Sequence, residues 1–189
     1  MIFTQESEYS AVPDACVLVP VALCDFLLRL AEEPAMYRPL WSDEILGEVA
    51  RALKTKRYRT DEEIAWRLNQ MREAFPEATV RVPRELLRAA ECIPDEDDRH
   101  VLAVAIIARA NAVVTQNTKH FPQDCLDKFG VLCQTADDFL IHQYHLYPLL
   151  VLEKLEDQAA GIAQARDYVI SALKNAAPEF CKLVEAHKG

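Results

Sequence analysis

Glycine is scarce, with four in 189 residues. Neither GxGxxG nor the P-loop pattern occurs, which removes the backbone cradles that hold nucleotide phosphates. So few glycines also argue against an all-β meander built on tight turns. The six cysteines (Cys16, Cys24, Cys92, Cys125, Cys133 and Cys181) show no CxxC spacing and sit mostly among apolar residues. Buried, reduced thiols are therefore expected, and a zinc site or disulfide framework is not. No apolar run is long enough to span a bilayer: ACVLVPVALC is bounded by Asp14 and Asp25. The opening MIFTQESEYS is polar and acidic, without a signal-peptide pattern, so the chain reads as cytoplasmic with no membrane partner. Positive charge is short as well. With 21 Lys+Arg against 30 Asp+Glu, the net charge of −9 disfavours a general nucleic-acid coat and leaves only a local basic strip or an acidic pocket that holds cations.

What remains is an ordinary globular composition, 51% hydrophobic and 27% charged, sufficient for a sizeable core. A short apolar strand ends at Asp14. Pro20 opens a helix whose inward stripe is Ala22, Leu23, Phe26, Leu27 and Leu30. Ser42 is placed to cap DEILGEVARAL, and Thr60 with Glu63 makes a capping box for a longer helix. EATVRV alternates like a strand up to Pro83, and RELLRAAEC reads as a short helix. After the acidic run PDEDD comes a helix, then the buried strand NAVVT, the strand GVLCQ and a helix opened by Thr135. From Pro148 onward the pattern is helical only. Strands alternating with helices predict an α/β fold, a three-layer sandwich around a small parallel sheet, with C-terminal helices. The expected division is a domain over 1–146 and a helical extension over 147–189.

Acidic residues stand where apolar ones belong. Ile45, Val49, Ala52 and Leu53 define the buried stripe of DEILGEVARAL, and Glu48 lies on that stripe. A carboxylate there must be paired, protonated or bound to a cation; a boundary residue reaching solvent is the alternative. Asp95, Glu96 and Asp97 suit a helix cap and first turn, whereas Asp98 precedes Leu102, Ala105 and Ile106 on the face that meets the sheet. Asp14 and Asn117 each follow a central strand, at the end where such sheets keep their ligands. Several carboxylates converging without a partnered histidine or cysteine point to Mg2+ or Mn2+, and the chemistry that fits is phosphodiester hydrolysis.

On these residues the sequence resembles the PIN-domain nucleases, especially the VapC-like toxin branch. The matching pieces are DACVL at 14–18, WSDEILGEV at 41–49, PDEDDRHVLAVA at 94–105, VVTQNTKHFP at 113–122 and TADDFL at 135–140. The resemblance implies a PIN-like fold and a Mg2+- or Mn2+-dependent endoribonuclease, the toxin of a type II toxin–antitoxin pair that a small antitoxin blocks. By motif position Asp14, Glu48, Asp98 and Asn117 are the catalytic set, with Asp14, Glu48 and Asp98 holding the metal. Asp95, Ser42, Thr115 and His120 would surround them. Two positions depart from the family pattern: Pro13 replaces an apolar strand residue, and His120 replaces an aspartate. With Asn117 uncharged, that side of the site has lost negative charge, which leaves a catalytically weak or inactive RNA- or partner-binding module as the alternative reading.

The densest basic stretch, RALKTKRYRT, offers Lys54, Lys56, Arg57 and Arg59 around Tyr58 for RNA backbone contact; cations at a helix C-terminus facing solvent are the plainer reading. His142 and His145 lack a third ligand for zinc. Trp41 and Trp66 read as core or interface aromatics, and the C-terminal helices as core cover, a homodimer surface or an antitoxin surface.

Overall fold

The computed structural model describes residues 9–187. Four strands, β1 (Ser10–Pro13), β2 (Arg38–Pro39), β3 (Ala112–Val114) and β4 (Leu132–Gln134), form one parallel sheet in the order β2-β1-β3-β4. Parallel neighbours cannot be joined by hairpins, so each connection is made by helices. These are α1 (Ala15–Leu18), α2 (Val21–Ala31), α3 (Asp43–Lys56), α4 (Asp61–Ala74), α5 (Arg99–Ala108), α6 (Gln123–Leu126) and α7 (Ala136–Leu146). Three more, α8 (Pro148–Gly161), α9 (Arg166–Leu173) and α10 (Pro178–Ala186), complete the described chain. None is long and apolar enough to cross a membrane.

The pleat divides the interior into two cores. Successive strand residues point to opposite faces. Val12 and its register partner Val113 enter one apolar cluster with Ile45, Val49, Leu53, Leu102 and Ala105 from α3 and α5. Ala11, Ala112 and Val114 enter the other, with Phe26 and Leu27 of α2, Phe139 of α7, and Val151, Ile170 and Phe180 of the last three helices. The C-terminal helices therefore cover one face of the sheet. Lys154 and Gln158 of α8, both buried, reinforce this: Lys154 donates to the carbonyls of Glu32 and Glu33, and Gln158 to that of Ala22. Asp137 of α7 accepts from the backbone N–H groups of Glu179 and Phe180, satisfying orphan donors at the start of α10.

Local signals mostly decided the helix starts. Ser42 accepts from Ile45 N, and capping boxes form at Thr60–Glu63 and Thr135–Asp138. Two expectations need correction, on EATVRV and on the cysteines. EATVRV is no strand: Pro76–Ala78 is a 3-10 turn, and Thr79 makes only an isolated parallel bridge with Trp41, because prolines at both ends leave few residues to pair beside the two-residue β2. RELLRAAEC is the expected short helix, of 3-10 type, over Arg84–Ala90. Of the two tryptophans read as core or interface aromatics, Trp41 is fully buried and Trp66 is 67% exposed. Cys92 and Cys125 are joined by a disulfide; Cys16, Cys24, Cys133 and Cys181 are free thiols as expected.

Candidate active site and metal centre

Asp14 leaves β1 at the carboxyl end of the sheet. Its N–H still bonds the Val114 carbonyl, and its own carbonyl accepts from Val17 and Leu18 N at the start of α1. The side chain takes no part in that cap. Instead it is 5% exposed and held by two donors: Thr115 Oγ1 at 2.7 Å and Cys16 Sγ at 2.9 Å, both to Oδ2. Burial, then the Asp14 charge, pushes the Cys16 thiol up to about 12, so it stays protonated and donates. Thr115 does double duty, since its hydroxyl also accepts from Asn117 N at 3.0 Å.

Glu48 faces inward from the second turn of α3, with its side chain 27% exposed. Its Oε1 lies 3.6 Å from Arg51 Nη2, and its Oε2 3.6 Å from Nε2 of the buried His100. That imidazole nitrogen has no hydrogen-bond partner among the described residues. Desolvation raises the Glu48 carboxyl above the usual range; His100 and Arg51 oppose this, while Asp14 and Asp98 push it further up. Three acids from β1, α3 and the start of α5 thus share one electrostatic neighbourhood.

Asp98 closes the 3-10 turn Glu96–Asp98 and occupies the N-cap of α5 without a side-chain capping bond. Its Oδ2 is 2.6 Å from Nδ1 of His120, which in turn lies 4.0 Å from Asp95 Oδ2. Asp95 also caps its own turn through Asp97 N. Asn117 is exposed and engages through its backbone, donating to Thr115 and accepting from His120 N at 2.9 Å.

Among the described residues, one group of candidate metal donors has all its ligand atoms within 4.8 Å of one another: Asp95, Asp98 and His120. Asp14 and Glu48 lie outside that group. They fit a hard cation all the same, because Mg2+ keeps several of its waters and rarely needs every carboxylate in direct contact, and because mutual repulsion of the acids at Glu48 is what a cation relieves.

The remaining residues singled out from the sequence divide cleanly. Ser42 serves α3 as its cap, accepting from Ile45 N. Lys54 and Arg59 are neutralised by Asp61 and Glu63, whereas Lys56 and Arg57 make no ion pair within the described residues; Tyr58 beside them is 89% exposed. Sequence reasoning took Cys16 only as one of the buried thiols and gave His100 no part in the site. Their spacing held the signal: each stands two residues after a candidate acid, Asp14 and Asp98.

The PIN domain family model matches residues 10–119. Over 50 residues the chain is 50% identical to the putative ribonuclease VapC50 of Mycobacterium tuberculosis, a stretch that covers 26% of this chain and 30% of that relative. The likeness thus spans under a third of the relative's length. With its parallel sheet, its flanking helices and more than half of its length matched, the chain belongs to the PIN domain family.

Proposed function

We propose that this protein is a Mg2+- or Mn2+-dependent endoribonuclease, the toxin of a toxin–antitoxin pair that acts in the cytoplasm and is silenced by a small antitoxin. The observation that carries the reading is the buried Asp14 carboxylate, held through one oxygen by Thr115 and Cys16 and near enough to Glu48 that Asp14 and Asp98 both act on it, against His100 and Arg51. Acids gathered against their own repulsion imply a cation.

Asp14, Glu48 and Asp98 would hold that cation, with Asn117 as a neutral neighbour. When bound, it supplies neutralisation of phosphate charge and a more acidic water. Thr115 and Cys16 fix one oxygen of Asp14 and leave the other for binding. His100 and Arg51 flank Glu48, each 3.6 Å from a different oxygen. Lys56 and Arg57, at the end of the helix that carries Glu48, offer the RNA backbone cations that are unpaired among the described residues, a local counterweight to the net charge of −9.

Purified protein incubated with mixed RNA and Mn2+ should cut it, EDTA should stop the reaction, and Asp14→Asn or Asp98→Asn should abolish it while the circular dichroism spectrum is unchanged. Undiminished cleavage by either variant would refute the assignment. One observation favours the second reading, a binding module without activity: His120 occupies the Asp98 carboxylate at 2.6 Å. In that case RNA is retained on the wild type, with no products at any Mn2+ concentration.

A further inference from the structure

Asp95, Asp98 and His120 stand apart from the other acids in donor type. We propose that they form a mixed oxygen–nitrogen cation site, which takes a transition-metal dication such as Mn2+, Co2+ or Zn2+ in preference to Mg2+. The inference shares Asp98 with the nuclease reading but does not require RNA cleavage.

Three observations carry it. The first is geometry: one ligand atom from each side chain lies within 4.8 Å of the other two, and His120 directs Nδ1 at both carboxylates, 2.6 Å from Asp98 and 4.0 Å from Asp95. A dication would take the place of the proton shared between Nδ1 and Asp98 Oδ2. The second is uncompensated charge. Two carboxylates, those of Asp95 and Asp98, face a single imidazole. Arg99, next to Asp98 in the chain, is engaged by Glu96 and the Ile93 carbonyl, and Lys119 pairs with neither aspartate among the described residues. The third is that both loops are anchored beside the donors. Ile93 and Phe121, each adjacent or nearly so, are buried in the core, and the Cys92–Cys125 disulfide ties the segment bearing the aspartates to the one bearing the histidine. Donors held in place lose little entropy on binding a metal.

Donor chemistry then selects the ion. Imidazole with carboxylate suits Mn2+, Co2+ and Zn2+, while Mg2+ prefers oxygen alone. Exposure of Asp95 and His120 leaves room for water to complete the shell.

The test is Mn2+ binding to the metal-free full-length protein, followed by pulsed electron paramagnetic resonance, in which a coordinated imidazole imprints nitrogen modulation on the ion. Wild type should show that modulation, and Asp14→Asn should keep it even if every trace of cleavage is gone. His120→Asn should lose it and bind Mn2+ on the order of tenfold or more weakly at this site. His120→Asp, which restores an oxygen donor, should bind the ion without modulation. The proposal is overturned if wild type at saturating Mn2+ shows no nitrogen modulation, if modulation survives in His120→Asp, or if Asp14→Asn abolishes it.

Discussion

Thr115→Val is the sharpest perturbation of the acidic centre that leaves its charges in place. The substitution keeps the branched shape on β3's exit and removes one hydroxyl. That hydroxyl lies 2.7 Å from Asp14 Oδ2, with Thr115 at 0% and Asp14 at 5% exposure, so water cannot stand in for it. A hydrogen bond to a charged, buried acceptor is worth about 1.5–3 kcal/mol. The valine methyl recovers up to ~0.8 kcal/mol by its burial, which leaves a net loss of about 1–2 kcal/mol. For a domain of this size the melting temperature should fall by roughly 2–8 °C. Urea denaturation in EDTA, compared with Thr115→Ser, isolates the hydroxyl, because serine retains the donor. A double-mutant cycle with Asp14→Ala should return a coupling of about 1.5 kcal/mol or more. Coupling indistinguishable from zero, or a valine variant more stable than the serine one, would show that Thr115 does not hold the carboxylate.

Two further outcomes follow from the same geometry. Glu48 has a folded-state pKa raised first by burial, so the folded state binds more protons than the unfolded one between the two pKa values. Stability is then greatest below the ordinary glutamate range and declines as pH rises through the folded value. Glu48→Gln should remove that decline and stabilise the metal-free protein at neutral pH, as read from melting temperature against pH; a parallel profile in both proteins contradicts it. The disulfide closes a loop with a sequence separation of 33, for which the unfolded-chain constraint amounts to about 2–4 kcal/mol. Cys92→Ser, or a thiol reductant, should lower the urea midpoint accordingly, and equal midpoints with and without reductant would count against the bridge.

How far the sequence carried differs between elements. Helix starts at Ser42, Thr60 and Thr135 were legible because capping is a local matter of residue type and spacing. β1 and β3 were legible because a buried parallel strand is a short apolar run with few alternatives. EATVRV misled for the converse reason: alternation reports an amphipathic extended segment, but a strand needs a neighbour, and only Trp41 was within reach. The disulfide was invisible because pairing depends on where α5 and α6 come to rest, not on cysteine spacing. Within the site, the inward placement of Glu48 followed from helical periodicity. The partners that hold the acids did not, since Thr115, Cys16 and His100 reach Asp14 and Glu48 only after β1, β3, α3 and α5 have packed.

Gln116 follows Thr115 directly, and its side-chain amide donates to the Ala176 carbonyl at 3.0 Å, in the turn that links α9 to α10. The far end of the polypeptide therefore grips the strand exit next to the hydroxyl that orients Asp14. Displacing that outer turn would free the residue next to Thr115, so the acidic centre is tied to a surface that holds none of its acids.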